Sequence, residues 1–270
     1  MKAERKPYRY DHYTWPEIKE IVERQPVVML PIGSTEDHGH HMPLDTDNFL
    51  IDTICEEAVK QIPEEVLLLP LIPYGFEDHH MDFPGTITIR SEHLLEFVLD
   101  VTKSVAHHGF RKILIADGHG SNMPILDLVA RRTVVETDAH CAAFIWPSLI
   151  RDAVQEVRTS EFPGGMSHSG ELETSVYLYL NPKAVAMEKA QKEIGFTRGS
   201  SFYWHDLMSA PPIRLMDRWS RLSQTGVIGD PTVATEEKGK RFFEASVTRL
   251  VDLIREFRSW PIKPAVDHHP

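Results

Sequence analysis

"VVMLPIGSTEDHGHHMPLDTD" (Val27–Asp47) sets six apolar residues ahead of fifteen positions that hold three histidines and four acidic residues. A continuous apolar run ended by glycine suits a short strand covered on both faces. From Asp47 to about Lys60 the pattern turns helical, so the stretch reads as strand, long polar loop and helix. That order recurs along the chain. Val66–Ile72 is a second strand candidate that Pro70 confines to an edge or ends early, and "PGTITIR" (Pro84–Arg90) is a short strand candidate. A helix follows from Ser91 to about His108, with Gly109 where a C-cap belongs. Lys112–Ala116 is a further strand, Asp117–Asn122 a loop, and a helix runs through Val134. Ala142–Trp146 is another strand; Glu171–Leu180 and Thr235–Arg258 are helices.

This alternation predicts a three-layer α/β/α sandwich around a mainly parallel sheet. No repeat, low-complexity tract or long linker interrupts it. One domain over 1–270 is expected, with an extended N-terminal segment (1–12) and a C-terminal tail (261–270). In such sheets ligands collect at the carboxyl ends of the strands, which puts the Gly33–Asp47 and Asp117–Asn122 loops on one rim.

Composition narrows the function. With 40 acidic and 29 basic residues, the net charge of −11 argues against a nucleic-acid partner. No apolar run approaches the ~18 residues of a membrane span, and no apolar segment follows the charged N-terminus as in a signal peptide, so a cytoplasmic protein is expected. Two cysteines provide neither a disulfide framework nor a four-cysteine zinc site. The 15 histidines, several beside carboxylates, point to a metal held by nitrogen and oxygen.

Glu36 and His38, two residues apart, point the same way from an extended segment. Asp47 can bridge two ions, with Asp45 as the alternative bridge. His119 arrives from the other loop between two glycines. Any one of these alone is better explained as a solvated surface residue; four at strand ends favour a metal site. His40 and His41 read as rim or structural residues, and Asp37 as solvated or as a partner orienting a ligand. In "SHSGELETS" (Ser167–Ser175), Ser167 or Ser169 followed by glutamate is also a plain helix start. Glu171 and Glu173 cannot share a helix face, so at most one enters a site. His168 lies five residues before Glu173, a candidate acid/base beside a candidate ligand. "FEDHHMDFPGTITI" (Phe76–Ile89) reads as a loop anchored by Phe83, with His79 as part of that loop. His80, Ser121, Asn122 and Trp146 are the candidate substrate contacts; Trp146, Trp204 and Trp219 suit either a lid or the core. No GxGxxG, P-loop or GxSxG element is present.

"LPIGSTEDHGHHMPLDTD", "FPGTITI", "ILIADGHGSN", "HSGELETS" and "GVIGDPTVATEEKG" together resemble the creatininase (creatinine amidohydrolase) family, over about Val27–Leu250. The resemblance implies an α/β fold, usually a homohexamer, with two divalent ions per chain, zinc or manganese. Carried over by position, Glu36 and His119 bind one ion, His38 the other, and Asp47 bridges them; His168 matches the acid/base histidine. Creatininase takes a further glutamate where Ser121 stands here. Relatives that lack it use the glutamate of the "ETS" block, which assigns Glu173 as the fifth ligand and argues against creatinine itself as substrate. The implied reaction is attack by a hydroxide held between the ions on the carbonyl of a small cyclic amide or related compound, with His168 as acid/base. The alternative is a carbon–carbon hydrolase that opens a cyclic ketone of keto-inositol type. A mononuclear iron oxygenase or a non-catalytic metal-binding protein would leave a bridging aspartate and a separate acid/base histidine superfluous.

Overall fold

The structure is a computed structural model, and it describes residues 6–195 and 199–269. The first five residues of the expected N-terminal segment and the last residue of the tail lie outside that range. Four parallel strands form the central sheet: β1 (Val27–Ile32), β2 (Val66–Leu68), β3 (Lys112–Asp117) and β4 (His140–Ile145), in spatial order β2-β1-β3-β4. A separate antiparallel pair, β5 (Met166–His168) and β6 (Ile228–Gly229), stands beside it. The helices are α1 (Trp15–Val22), α2 (Thr46–Gln61), α3 (Ser91–His107), α4 (Met123–Glu136), α5 (Arg151–Val157), α6 (Glu171–Leu180), α7 (Trp219–Leu222) and α8 (Glu236–Ser259).

Strand alternation sorts the core into two halves. Val27 and Met29 of β1, with Leu114 and Ala116 of β3, pack against Leu50, Ile51 and Ile54 of α2, Leu172 and Val176 of α6, and Phe242 and Leu250 of α8. Val28, Leu30, Ile32, Ile113 and Ile115 turn the other way, onto Leu94 and Val98 of α3 and Leu126 and Val129 of α4. Every β1 residue is therefore buried, which is why that strand reads as an unbroken apolar run. Each fully buried aliphatic side chain contributes about 1.5–3 kcal/mol, so the two halves fix the sheet between its helical layers. The expected three-layer α/β fold is what the chain adopts.

Two details differ from the sequence expectations, in residues 84–90 and in the N-terminal segment. Residues 84–90 form no strand; the Thr-Ile-Thr-Ile pattern makes only an isolated bridge from Ile87 to Thr35, because no neighbouring strand lies alongside. β2, in contrast, lies at the sheet edge and ends at Leu68, before Pro70, as that proline led one to expect. The N-terminal segment is not wholly extended, since Tyr10–His12 form one 3-10 turn and Arg9 bridges to Leu68. Residues 261–269 have no regular structure and are exposed, as a tail should be. No helix among the described residues is long and apolar enough to cross a membrane.

The strand order places the site. From β1 the chain passes through α2 to β2 on one side, then through α3 back across to β3 on the other side of β1. The carboxyl ends of β1 and β3, paired at Ile32 and Asp117, thus flank a switch point where the following loops part and leave a crevice.

Behind that crevice, α6 and α8 pack at close range through Gly239. A Cβ there would lie 1.8 Å from the main-chain oxygen of Ser175. Gly239→Ala is therefore expected to push the two helices apart. Overpacking of this kind costs about 1–3 kcal/mol, at roughly 2–4 °C of melting temperature per kcal/mol in a chain of this size. Thermal unfolding followed by circular dichroism checks this, and an unchanged Tm would show that α8 yields without cost.

Candidate metal centre

The Gly33–Asp45 loop leaves β1 and returns to start α2, so Glu36, His38 and Asp47 reach one point from two elements. Asp47 sits in the first turn of α2, where a carboxylate is also favoured by the helix dipole. His119 follows β3. All four are buried: Glu36 0%, His38 1%, Asp47 3% and His119 6% exposed.

The two oxygens of Asp47 face different imidazoles. Oδ1 lies 3.2 Å from His38 Nε2, and Oδ2 lies 3.1 Å from His119 Nδ1. Glu36 Oε1 is 2.9 Å from the same His119 Nδ1. Donors around one ion with bonds of about 2.0–2.2 Å stand roughly 3–3.5 Å apart, so Glu36 and Asp47 each stand near ligand spacing from His119, and Glu77 joins Glu36 and His119 in a group whose donor atoms lie within 4.8 Å of one another. His38, Asp47 and Glu173 form the second group, their donor atoms within 4.8 Å of one another. The His38 ring is oriented for ligation: its Nδ1 lies 3.3 Å from the Glu36 carbonyl, which can only accept, so Nε2 keeps the lone pair. That Nε2 and both Glu36 carboxylate oxygens are buried without a hydrogen-bond partner. The residues present can hold divalent metal.

The field supports the same conclusion. Among the described residues, the ion-pair partners of Glu36, Asp37, Asp47 and Glu77 are imidazoles, with no Lys or Arg. Burial opposes charge on His38, yet Asp47 beside it raises that ring to about 10. Burial likewise opposes charge on His119, and Glu36 overcomes it, so that ring is raised well above its ordinary value. Burial pushes Glu77 up to about 8 and Asp117 up to about 7. So concentrated a set of carboxylates favours any cation that can enter.

β5 and β6 hold His168 opposite this cluster. Its Nε2 donates to the main-chain oxygen of Asp37 at 2.7 Å, which leaves Nδ1 facing Glu36 Oε1 at 3.7 Å. Immediately after it, Ser169 takes φ +56°, and its amide donates to Glu173 Oε2 at 2.7 Å. The N-cap of α6 is Gly170 rather than Ser167 or Ser169. Glu171 turns away from the crevice, accepting from the Thr159 and Ser160 amides and from Lys238. As expected from their spacing, only one of the two glutamates enters the cluster.

Of the candidate substrate contacts, His80 and Ser121 lie at the cluster and two others do not. His80 donates from Nδ1 to Asp37 Oδ1 at 2.7 Å and stacks on Trp219 with ring centroids 4.6 Å apart. Ser121 Oγ is 3.1 Å from His79 Nε2. Asn122 is a correction. It is fully buried, its amide donates to the Gly33 carbonyl and to Asp117 Oδ1, and its oxygen accepts from the Phe76 amide. It ties three loops together and has nothing left to offer a ligand. Trp146 is the other correction: at 1% exposed it belongs to the core half under α2 and α8.

Among the remaining candidates, Asp45 accepts from Tyr177 Oη, so the bridging geometry is that of Asp47. His41 pairs with Thr174 while His40 is exposed, as structural and rim residues should. His79, read from sequence as part of a plain loop, is buried against His80 and Trp219. Asp37 is buried and held well below its ordinary pKa: burial works against this, and the nearby His168 ring together with the hydrogen bond from His80 prevails. Sequence reasoning missed Glu77, fully buried beside His119, and left Trp219, which packs against His80, His168 and His205, open between lid and core. A lone glutamate in a loop carries no periodic signal, so nothing short of the fold could single it out.

Known proteins resemble this chain over most of its length. The family profile described as "Creatininase: Creatinine amidohydrolase" matches residues 11–254. The chain is 31% identical to the mycofactocin precursor peptide peptidase of Mycobacterium tuberculosis, covering 91% of this chain and 90% of that one. It is 27% identical to the creatinine amidohydrolase of Pseudomonas putida, over 90% and 94%. It is 26% identical to the 3-dehydro-scyllo-inosose hydrolase of Thermotoga maritima, over 90% and 81%. Solved structures of a Zn–Zn creatininase variant and of creatininase with Mn each superpose with a TM-score of 0.76, at 26% identity, over 93% of this chain and 98% of theirs. Fold, site and sequence converge: this chain is a hydrolase of the creatininase family.

Proposed function

We propose that the protein is a two-metal hydrolase that cleaves the carbonyl C–N bond of a small cyclic amide or related compound. Glu36, Asp47 and His119 hold one divalent ion, and His38, Asp47 and Glu173 the other, with zinc or manganese as the ions. The observation that carries this reading is the division of the Asp47 oxygens between two imidazoles. When bound, such a pair supplies a Lewis acid for the carbonyl and a water acidified to a pKa of about 7.

The side chains do the rest. His168, fixed through Nε2–H on the Asp37 carbonyl, presents Nδ1 as the atom that takes up a proton and returns it to the leaving nitrogen. Trp219 and the rings of His79 and His80 form a wall that keeps bulk water from that transfer. The Ser121 hydroxyl and the face of His80 orient the substrate. The Thermotoga relative favours a second reading, hydrolysis of a carbon–carbon bond in a cyclic ketone, in which Nδ1 protonates a carbon leaving group instead. The Pseudomonas and Mycobacterium relatives are named for amide and peptide hydrolysis and favour C–N cleavage.

A cytoplasmic homohexamer is part of the same proposal. Phe97 of α3 and Leu128 and Val135 of α4, 53%, 45% and 84% exposed, give one face the apolar character of a subunit contact. Light scattering checks the assembly. The reaction is tested by elemental analysis of tag-free protein, followed by a screen of carbonyl compounds. About two zinc or manganese ions per chain and an amine-bearing product are expected; a nitrogen-free acid selects the second reading. One iron per chain, or no metal bound even on add-back, would overturn both.

A further inference from the structure

Glu77 has no part in the two proposed ligand sets, although a carboxylate oxygen of it lies within 4.8 Å of donor atoms of Glu36 and His119. It precedes the 3-10 turn Asp78–His80, its amide donates to Thr88 Oγ1 at 2.9 Å, and its side chain is 0% exposed. Among the described residues neither carboxylate oxygen has a well-formed hydrogen bond, although the Ser34 hydroxyl is near enough to favour the charged form. A buried carboxylate with nothing to accept is costly, and native proteins keep few of them without a reason.

The reason lies 3.8 Å away, at His119 Nε2, its one ion-pair partner among the described residues. Nε2 is itself buried and without a hydrogen bond. The opposite nitrogen, Nδ1, is the one that Glu36 Oε1 and Asp47 Oδ2 approach at 2.9 and 3.1 Å. If Nδ1 provides the lone pair to an ion, Nε2 carries the proton, and the group waiting for that proton is Glu77. His38 shows the same logic reversed, with Nδ1–H aimed at the Glu36 carbonyl and Nε2 left to ligate.

We infer that Glu77 is a positioning residue for His119: it receives the Nε2 proton, fixes the tautomer that points the Nδ1 lone pair inward, and strengthens the ring as a donor. This rests on the two-ion reading of the site. The two ions are then held unequally. The ion at Glu36 and His119 has a carboxylate behind its histidine, and the ion at His38 has only a carbonyl. Outer partners of this kind are worth about 10–100-fold in metal affinity.

The test is dialysis of zinc-loaded protein against graded chelator, with ion content counted at each step, for wild type, Glu77→Gln and Glu77→Ala. In the glutamine variant one ion per chain should leave at about 10–100-fold lower chelator, while the other leaves as in wild type. Glu77→Asp, which restores a carboxylate, should recover part of the loss. The Tm of the metal-free glutamine variant should not fall below that of metal-free wild type, because among the described residues the carboxyl group has no hydrogen bond to lose. A merely structural role predicts the reverse, a lower metal-free Tm and weaker binding of both ions, and that result overturns the inference. So does unchanged retention of both ions in Glu77→Gln and Glu77→Ala. Two ions in wild type with unaltered variants would reject the Glu77 role alone; fewer than two in wild type would reject the two-ion reading and this inference with it.

Discussion

Asp47→Asn is expected to abolish hydrolysis and to reduce the bound metal from two ions per chain to one at most. The substitution keeps the shape of the side chain and removes the one property the site needs, two equivalent anionic oxygens. Oδ1 and Oδ2 stand 3.2 and 3.1 Å from nitrogens of two different histidines. An amide offers one oxygen and one N–H₂, and the N–H₂ end repels a cation. Stability gives an independent readout. A ligand that binds only the folded state adds RT ln(1 + [L]/Kd), about 4 kcal/mol at a thousandfold excess over Kd. Wild type should therefore melt several degrees higher with zinc or manganese than after stripping, at roughly 2–4 °C per kcal/mol. Asp47→Asn should lose most of that increment and melt near the stripped wild type. Differential scanning fluorimetry with metal titration measures it. A full metal-dependent rise in the variant would show that the two groups around Asp47 bind their ions without a bridge.

The fold was largely legible because its decisive elements are buried on both sides. Val27–Ile32 and Lys112–Asp117 have no solvent face, so their sequences announce themselves, and a helix follows each loop that leaves them. Two kinds of local signal failed. Thr86–Ile89 alternates as a strand does, but alternation is only half of a strand; without a neighbour it makes one bridge. Conversely β5 and β6, of three and two residues, are too short to carry a pattern, although they hold His168 in place.

In the site the division is similar. Glu36, His38 and Asp47 belong to one short stretch, a loop and the helix turn that follows it, whose spacing can be read directly, and the pairing of β1 with β3 brings His119 to them. Asn122 and Trp146 looked available because sequence shows a side chain's chemistry and not whether its bonds are already taken. Glu77 was invisible for the opposite reason. Its importance lies in having no partner of its own while facing a histidine on another loop, and both facts belong to the fold alone.

His168→Ala separates chemistry from metal binding. The ring is held from outside the cluster, by Nε2–H to the Asp37 carbonyl, and Nδ1 remains 3.7 Å from Glu36. Neither proposed ligand set uses it, so the variant should keep two ions per chain and the metal-dependent rise in Tm. What it loses is the group that moves a proton between the attacking water and the leaving atom. General acid–base groups of this kind contribute about 10²–10⁴-fold, and kcat should fall by that factor with KM changed far less. The size of the loss should track the leaving group. An amide nitrogen departs poorly without a proton, so substrates with more basic leaving amines should suffer most; an activated substrate whose leaving group departs as an anion should suffer least. Comparing kcat for two such substrates in wild type and variant is the decisive measurement. Equal losses for both would place His168 in orientation rather than proton transfer. Loss of an ion would make it a ligand, and no loss at all would leave the protein a metal-binding one with its chemistry elsewhere.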